Sequence, residues 1–257
     1  LPEWSDGERV VQLTITSSSN PKIKYVRSLA RRNVRHKERR FVVEGVRLLE
    51  EALRAGHPPA LVFYTPDFAG RAEGAALLRQ LEARGVGLEA VTPGLLARCS
   101  DTVSPQGILA VVPFPDQPAP PSPTLALIVD RIAIPGNLGT LLRSAEAAGV
   151  ELALLSAGTT DPFDPKVVRG GMGVHFRLPI LADLGWEAIA AQVKGLRVYL
   201  AEAGGARPYD EADWVQPSTL IIGSEAHGPC DEARRLADES VYVPMRGGTE
   251  SLNAGVA

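Results

Sequence analysis

The sequence predicts an α/β protein in two parts, and three observations support that prediction. Short apolar segments alternate with segments of helical spacing along the chain, which is typical of strands that alternate with helices. Residues 114–124 contain five prolines and predict an extended, semi-rigid linker between the two parts. The apolar fraction of 45% over 257 residues is enough to build a real buried core.

The first part is predicted to be an α/β domain over residues 20–113, preceded by a tail over residues 1–19. A basic segment that begins near residue 22 is predicted to be helical. The predicted strands, each a short apolar run, are 41–45, 61–64 and 108–112. The predicted helices that alternate with them are 46–55, 74–84 and 92–99, the last with Pro93 in its first turn.

The second part is predicted over residues 125–257 and opens with a continuous apolar strand of the kind that is buried on both faces. The predicted strands are 125–129, 152–155, 198–201, 220–223 and 241–243, with a helix at 138–148 after the first strand. Because strands and helices alternate, we expect a mostly parallel sheet flanked by helices.

The composition excludes several classes of protein. No run approaches the roughly 20 apolar residues that a membrane-spanning helix needs, so we expect no membrane partner. Cys99 and Cys230 are the two cysteines, which excludes a disulfide framework and a cysteine-based zinc site and favours a reducing cytoplasm. The chain opens on polar residues without a Met, so we expect no signal peptide and an incomplete N-terminus.

The formal net charge of −3 is unevenly divided. Residues 1–113 hold 16 basic and 12 acidic side chains, a net charge of +4, whereas the rest holds 11 and 18, a net charge of −7. Such a basic excess predicts a phosphate-binding surface, although a solvated helix face is the alternative. The cluster predicted to bind RNA is Lys22, Lys24, Arg27, Arg31, Arg32, Arg35, Lys37, Arg39 and Arg40.

Three segments rich in Gly and Pro follow predicted strands, where α/β sheets bind ligands. In 130–139 we expect Asn137 to cap a helix that also holds Arg143, although both could be purely structural. In 166–173 three glycines would let the backbone approach a ligand beside Arg169, and a flexible loop is the alternative. The third segment comprises residues 221–229 and 243–253. It places Glu225 at a strand end, where the carboxylate could accept a hydrogen bond from a ribose hydroxyl.

Taken together, these segments resemble the three motifs of the SpoU (TrmH-type) RNA ribose 2′-O-methyltransferases of the SPOUT superfamily. The motif residues are Pro135-Gly136-Asn137-Leu138-Gly139 with Arg143, Gly223-Ser224-Glu225 with Gly228, and Pro244-Met245 with Glu250-Ser251-Leu252-Asn253. Residues 41–45 and 104–107 resemble the substrate-binding domain that is often fused ahead of them. The resemblance covers residues 20–257.

The resemblance implies an enzyme that transfers a methyl group from S-adenosylmethionine to a ribose 2′-hydroxyl in RNA, without a metal. It implies a homodimer, a deep C-terminal trefoil knot, and an N-terminal RNA-binding domain similar to ribosomal-protein-type folds. We expect a 23S-type rRNA rather than a tRNA, because the extra N-terminal domain is common in rRNA enzymes. The final helix is expected to continue beyond Ala257.

The resemblance also assigns the site residues. The catalytic set that it implies is Asn137, Arg143, Glu225, Ser251 and Asn253. The cofactor-binding set that it implies is Leu200, Ala201, Glu202, Gly223, Glu225, Val243, Met245, Ser251 and Leu252. The RNA-binding set is the basic cluster above together with Arg169. Because a guanidinium has a pKa above about 12, we expect Arg143 to bind phosphate and orient the hydroxyl rather than act as a base.

Two other functions stay open from the sequence alone. An RNA-binding protein could keep this fold and lack catalysis, although the retained polar set argues against it. A nucleotide-dependent oxidoreductase is disfavoured because the chain has no Gly-x-Gly-x-x-Gly spacing after a strand.

Overall fold

Two separate β-sheets organise the computed structural model, which describes residues 14–247 and 252–256. A sheet of four strands forms before residue 114, and a sheet of seven strands forms after residue 124. The elements around the first sheet are α1 Pro21–Ser28, α2 Arg32–Glu38, β1 Arg40–Glu44, α3 Val46–Arg54, β2 Leu61–Tyr64, α4 Pro66–Ala69, α5 Ala72–Glu82, β3 Gly87–Ala90, α6 Pro93–Cys99 and β4 Ile108–Pro113.

The first sheet is mixed, with strand order β1-β4-β2-β3. Strand β4 pairs antiparallel with both β1 and β2, whereas β3 runs parallel to β2. Ile15, which we assigned to the tail, forms a parallel bridge with Val91 and therefore extends the edge beside β3. The first thirteen residues of that predicted tail lie outside the described residues.

The basic segment forms two short helices rather than one. Asn20 caps α1 by accepting a hydrogen bond from the Lys22 amide at 2.8 Å, and Arg39 ends α2 in the left-handed conformation. Between the helices, Leu29 is buried and the Arg35 guanidinium binds the carbonyls of Leu29 and Ala30. The break therefore results from one arginine side chain that folds back onto the connecting turn.

The second sheet is wholly parallel and has the strand order β7-β6-β5-β10-β8-β11-β9. Its elements are β5 Leu125–Val129, α7 Pro135–Ala147, β6 Leu152–Ser156, α8 Pro165–Gly171, β7 Ile180–Leu184, α9 Trp186–Gln192, β8 Arg197–Ala201, β9 Arg207–Pro208, β10 Ser218–Ile222, α10 Asp231–Leu236 and β11 Glu239–Tyr242. The prediction of a mostly parallel sheet flanked by helices is confirmed. The predicted knot stays a prediction.

The strand order locates the functional region. The chain leaves β5 towards β6 on one side and leaves β10 towards β11 on the other, although β5 and β10 are neighbours. Open α/β sheets bind their ligands at such a switch point, outside the carboxyl ends of the strands. The loops that follow β5 and β10 are therefore the expected position of a site.

The two sheets share part of a hydrophobic core. Val168 and Phe176, from the second part of the chain, are buried among the core residues of the first sheet. Phe114, at the start of the proline-rich stretch, stacks on Phe163 with ring centroids 3.7 Å apart. Arg35 forms a buried ion pair with Asp161 across the same boundary. Among the described residues, no helix is long and apolar enough to cross a membrane.

Candidate active site

The loop after β5 leads directly into α7, which begins at Pro135. We predicted that Asn137 caps this helix, and that prediction is wrong because Ile134 occupies the cap position and Asn137 lies inside the first turn. Asn137 is only 8% exposed. A buried amide needs hydrogen-bond partners, so the partners of Asn137 define what it does.

Both ends of the Asn137 amide have partners from distant motifs. Its Nδ2 donates to Glu225 Oε1 at 2.8 Å, and its Oδ1 accepts a hydrogen bond from Asn253 Nδ2 at 2.9 Å. These partners lie 88 and 116 residues away in sequence. The Asn253 side chain is itself fixed, because its Oδ1 accepts from the Gly255 amide at 2.8 Å. The three motifs thus meet in one hydrogen-bonded line.

Glu225 is the charged end of that line. Partial burial disfavours its carboxylate, but hydrogen bonds from Asn137 and from the amides of Ala133 and Ile134 outweigh this and lower the pKa of Glu225 below its ordinary value. The Ala133 amide donates to its Oε2 at 3.2 Å. Glu225 is therefore an ionised acceptor that fixes the start of α7, not a proton donor.

A short turn presents Glu225 beyond the end of β10. Ser224 forms an antiparallel bridge with Gly228, whose φ of +66° lies in the left-handed region. A Cβ at Gly223 would lie 2.4 Å from the Pro229 nitrogen, so only glycine allows this turn to close. Gly223 therefore shapes the loop by close backbone packing.

Asp130 holds the loops that follow β5 and β10 through buried hydrogen bonds, and the sequence analysis did not identify it. It is fully buried and accepts hydrogen bonds from Ser156 Oγ at 3.0 Å and from the Cys230 amide at 2.8 Å. It also pairs with Arg131. Asp130 therefore ties the ends of β5 and β6 to the start of α10. An acidic residue at the end of an apolar strand was the signal that could have revealed it.

Arg143 lies on α7 with an exposed side chain. It belongs to a set of nine arginines in residues 125–257. Among the described residues, only Arg143 and Arg246 of this set have no carboxylate within ion-pair distance. Arg143 does not contact Asn137 or Glu225 in the hydrogen-bonded line. Among the residues that the structure describes, it is an unpaired cation on the helix that carries Asn137, as phosphate binding requires.

The carboxyl ends of β8, β10 and β11 meet at one edge, where the cofactor residues were predicted. Ala201 pairs with Ile222 on one side and Val241 on the other. Leu200 lies one residue inside the sheet and is 2% exposed, so its side chain packs in the core and does not line an open site. Glu202 reaches the edge and pairs with Arg234.

The loop after β11 offers groups that suit an adenosine-containing cofactor. Met245 and Leu252 are 38% and 40% exposed, and Val243 lies half-buried where the strand ends. Within the described residues, the amides of Met245 and Leu252 donate to no protein acceptor. Free amides beside apolar side chains fit a purine, whose faces are apolar and whose edge accepts hydrogen bonds. Ser251, also predicted here, lies outside the described residues.

Most of the predicted glycine-rich loop at 166–173 is instead the helix α8. The predictions of a ligand-binding loop and of a flexible loop are therefore both wrong. A Cβ at Gly139 would lie 2.7 Å from the Val167 carbonyl oxygen and 3.0 Å from the Gly170 Cα. The glycines therefore allow α7 and α8 to pack at close range. Arg169, on the exposed side of α8, binds Asp101 of the first part at 3.1 Å.

The basic cluster is only partly available for RNA. We predicted that Arg35 binds RNA, and this is wrong because Arg35 is 2% exposed and its guanidinium is used by Asp161 and two carbonyls. Three exposed members have protein partners: Lys22 with Glu89, Arg32 with Asp183, and Arg39 over the Phe114 ring. Arg40 is half-buried and donates to the Tyr25 hydroxyl. Exposed members without a side-chain partner among the described residues are Lys24, Arg27, Arg31 and Lys37.

Comparison with known proteins agrees with this geometry. The model of the SpoU rRNA methylase family matches residues 124–257, and the model of the MRM3-like substrate binding domain matches residues 20–110. The chain belongs to the SpoU rRNA methylase family. The resemblance read from the three motifs is confirmed, whereas the roles of the individual site residues stay predictions.

Several relatives of this SpoU protein are named as rRNA methyltransferases. It is 31% identical to a 23S rRNA guanosine 2′-O-methyltransferase of Bacillus subtilis, over 95% of each chain. It is 34% identical to the mitochondrial rRNA methyltransferase 3A of Danio rerio, over 90% of this chain and 65% of the relative. The chain therefore spans about two thirds of the length of that mitochondrial relative.

Solved structures of methyltransferases have the same fold. An rRNA methyltransferase from Sinorhizobium meliloti with bound AdoMet superposes with a TM-score of 0.83 at 27% identity, over 95% of this chain and 93% of that chain. The SpoU methyltransferase AviRb from Streptomyces viridochromogenes, in complex with AdoMet, gives a TM-score of 0.82 at 28% identity, over 93% and 94%. Both of these structures contain the cofactor that the resemblance implies.

Proposed function

We propose that this protein transfers a methyl group from S-adenosylmethionine to a ribose 2′-hydroxyl in RNA, with 23S-type rRNA as the substrate. The observation that supports this most is the line Asn253–Asn137–Glu225, which joins the three motifs at the switch point of the sheet. The names of the relatives favour rRNA over tRNA.

The residues of the chain supply alignment rather than an acid or a metal ligand. S-adenosylmethionine, when bound, supplies a methyl group on a good leaving group. The Met245 and Leu252 amides would hold the adenine, and Glu225 and Asn137 keep the start of α7 fixed against the motif around Asn253. Arg143 binds an RNA phosphate and orients the ribose hydroxyl. Such alignment can contribute roughly 7–11 kcal/mol to the rate enhancement.

We assign RNA binding to residues 20–113 and methyl transfer to residues 125–257, joined by the linker at 114–124. The exposed cations Lys24, Arg27, Arg31 and Lys37 support this division, because the part after the linker is acidic. Opposite charges on the two parts would direct the RNA phosphates to the first part and leave the second part free to hold the cofactor.

The protein is proposed to act as a homodimer. Ile134, Leu252 and Val256 are 52%, 40% and 71% exposed; Ile134 caps α7, and Leu252 and Val256 flank residues 253–255, which contact Asn137 and Thr140 of that helix. Large apolar side chains grouped at one surface are typical of an interface. Light scattering coupled to gel filtration tests this, and a monomer at micromolar concentration would contradict it. The free thiols of Cys99 and Cys230 are consistent with the proposed cytoplasmic location.

Mapping ribose 2′-O-methyl groups across total RNA, from cells with and without the gene, tests the proposed function. We expect one rRNA position, or a small group of positions, to lose its methyl group when the gene is deleted. Loss confined to tRNA would identify the alternative substrate. An unchanged map, together with intact cofactor binding by the purified protein, would instead show an RNA-binding protein that lacks catalysis.

A further inference from the structure

A cleft of about 860 Å³ lies between the two parts of the chain, away from the hydrogen-bonded line of the active site. We call it the interdomain cleft. Its first wall includes residues 44–48 and 98–102 with Ser104 and Gln106, and its second wall is formed by Pro165, Val168 and Arg169 of α8 and by Met172, which follows that helix. The volume lies within the range of roughly 300–1,000 Å³ that is typical of ligand sites.

The rim of the interdomain cleft is rich in unneutralised positive charge. Four arginines line it with exposed side chains: Arg27, Arg47, Arg71 and Arg98. Within the described residues, none of the four has a carboxylate at ion-pair distance or a side-chain hydrogen bond. Three of them lie outside the basic cluster that the sequence singled out. Free guanidinium groups around one cavity are suited to phosphate oxygens.

The first wall of the interdomain cleft is polar and preorganised. Ser100 Oγ and Thr102 Oγ1 each donate to the Glu44 carboxylate at 2.6 Å, which fixes the loop that follows α6. Gly45 has a φ of +91°, and a Cβ there would lie 2.7 Å from Gln106 Oε1. The glycine therefore allows Gln106 to lie against the backbone of the first wall. Carboxylate and amide groups held in this way are suited to the polar edge of a nucleobase.

The second wall connects the interdomain cleft with the active site. Helix α8 packs directly on α7, with the backbones in contact at Gly139 and Gly170. Arg143 follows Gly139 by four residues, and residues with this spacing lie on the same face of a helix. Helix α8 therefore contacts both the interdomain cleft and the helix that carries Arg143.

We propose that the interdomain cleft binds a single-stranded segment of the substrate RNA that adjoins the methylated nucleotide. Its phosphates contact Arg27, Arg47, Arg71 and Arg98, and one base lies against the first wall beside Glu44 and Gln106. The inference rests on the proposed function and adds the form of RNA that is recognised. A base that is splayed out of a loop or bulge can enter such a cavity, whereas a base inside a duplex cannot.

The test uses the full chain, because Val168 and Phe176 pack in the core of the first sheet and truncation would expose them. The triple variant Arg47→Gln, Arg71→Gln, Arg98→Gln removes three charges from the cleft. The matched control Arg79→Gln, Arg84→Gln changes exposed arginines on or just after α5 that do not line the cleft. Fluorescence anisotropy measures binding of a labelled 12-nucleotide single-stranded RNA and of the same sequence as a duplex, across a range of salt concentrations.

We expect the triple variant to bind the single strand roughly 60-fold more weakly at 0.15 M salt, because each lost phosphate contact costs roughly fourfold in affinity. The slope of log affinity against log salt concentration should fall by about 2. The control should stay within about twofold of wild type for each removed charge, and duplex binding should change little. A second variant, Glu73→Gln, removes an acidic side chain from the rim and should tighten binding of the single strand.

Equal affinities for the triple variant and its control would overturn the proposal, as would equal losses for single strand and duplex. If the triple variant is poorly folded, the affinity of Glu73→Gln for the single strand becomes the test. Unchanged or weaker binding by Glu73→Gln would also overturn the proposal. Methyl transfer is measured separately on rRNA. If the wild-type protein transfers methyl groups but the cleft variants bind RNA as it does, only the proposed role of the interdomain cleft is refuted. A protein that never transfers a methyl group, yet loses single-strand affinity in the triple variant, refutes only the proposed function.

Discussion

Replacing Arg35 with methionine should strongly destabilise the protein, whereas the same change at its neighbour Arg32 should not. The Arg35 and Asp161 side chains are 3% and 5% exposed, and the guanidinium binds the carboxylate through Nε at 3.1 Å and Nη2 at 2.5 Å. Its Nη1 also binds the carbonyls of Leu29 and Ala30. Removing one partner of a buried pair typically costs about 3–5 kcal/mol of unfolding free energy, because the other charge stays buried.

Arg32 offers a matched control on the same helix. It contacts Asp183 at 3.4 Å, with the two side chains 52% and 65% exposed. Exposed pairs of this kind are typically worth about 0.2–1 kcal/mol, so Arg32→Met should cost no more than that. Urea unfolding followed by tryptophan fluorescence measures both variants, and the shift of the midpoint at constant slope gives the difference in stability.

A second substitution identifies the cause. Burial raises the pKa of Asp161, and hydrogen bonds and charge from Arg35 outweigh this and hold that pKa below its usual value. Without Arg35 only the Phe163 amide and His36 still oppose the effect of burial, so the pKa of Asp161 should rise and Arg35→Met should lose less stability at pH 4 than at pH 7. Adding Asp161→Asn should recover part of the loss. Equal costs for the two arginine variants, or no recovery with Asp161→Asn, would refute the reasoning.

Three further outcomes are expected. Arg143→Ala should lower kcat/KM for RNA methylation by roughly 10- to 150-fold through the loss of a charged contact, and calorimetry should show unchanged S-adenosylmethionine affinity, with Arg235→Ala as the exposed control. Equal loss of cofactor affinity would count against this role. Glu225→Gln keeps the shape of the side chain but places an amide donor against amide donors, so turnover should fall. In the double variant, Asn137→Ala should add little further loss of turnover. Additive losses would show that the two residues do not act as one connected line. Burial lowers the pKa of His175 from 6.5 to about 4, so the unfolded chain binds a proton first as the pH falls. Stability should therefore be full above pH 6.5 and fall by roughly 3 kcal/mol between pH 6.5 and 4, and His175→Gln should flatten that slope in urea titrations.

The sequence was sufficient where a local pattern determines local structure. Strands β2 and β5 occupy the predicted ranges, because each is a short apolar run bounded by glycine, proline or polar residues. Helix α7 begins three residues before the predicted start, because Pro135 is well placed at a first helical position. The short elements α4, β3, β7, α9, β9 and α10 were not predicted, since two to seven residues show too little periodicity to distinguish them from loops.

The sequence motifs identify residues of the site, but contacts between distant segments determine how these residues are arranged. The motifs identified Asn137, Glu225 and Asn253, but only the structure shows that their side chains bond in one line. The role of the glycines near residue 170 could not be predicted from the sequence, because the packing of Gly170 against Gly139 depends on a neighbouring helix. The charge pattern was misleading at Arg35, since a buried ion pair and a free cation look alike in a sequence.

The most direct test of the central claim is product analysis with the purified protein. It is incubated with S-adenosylmethionine labelled in the methyl group and with rRNA from cells that lack the gene, and the RNA is then digested to nucleosides for mass spectrometry. We predict label in a single 2′-O-methylnucleoside, and Arg143→Ala should lower its rate of formation by roughly 10- to 150-fold. Label on a base, or no label despite measured cofactor binding, would contradict the assignment of this protein as an RNA ribose 2′-O-methyltransferase.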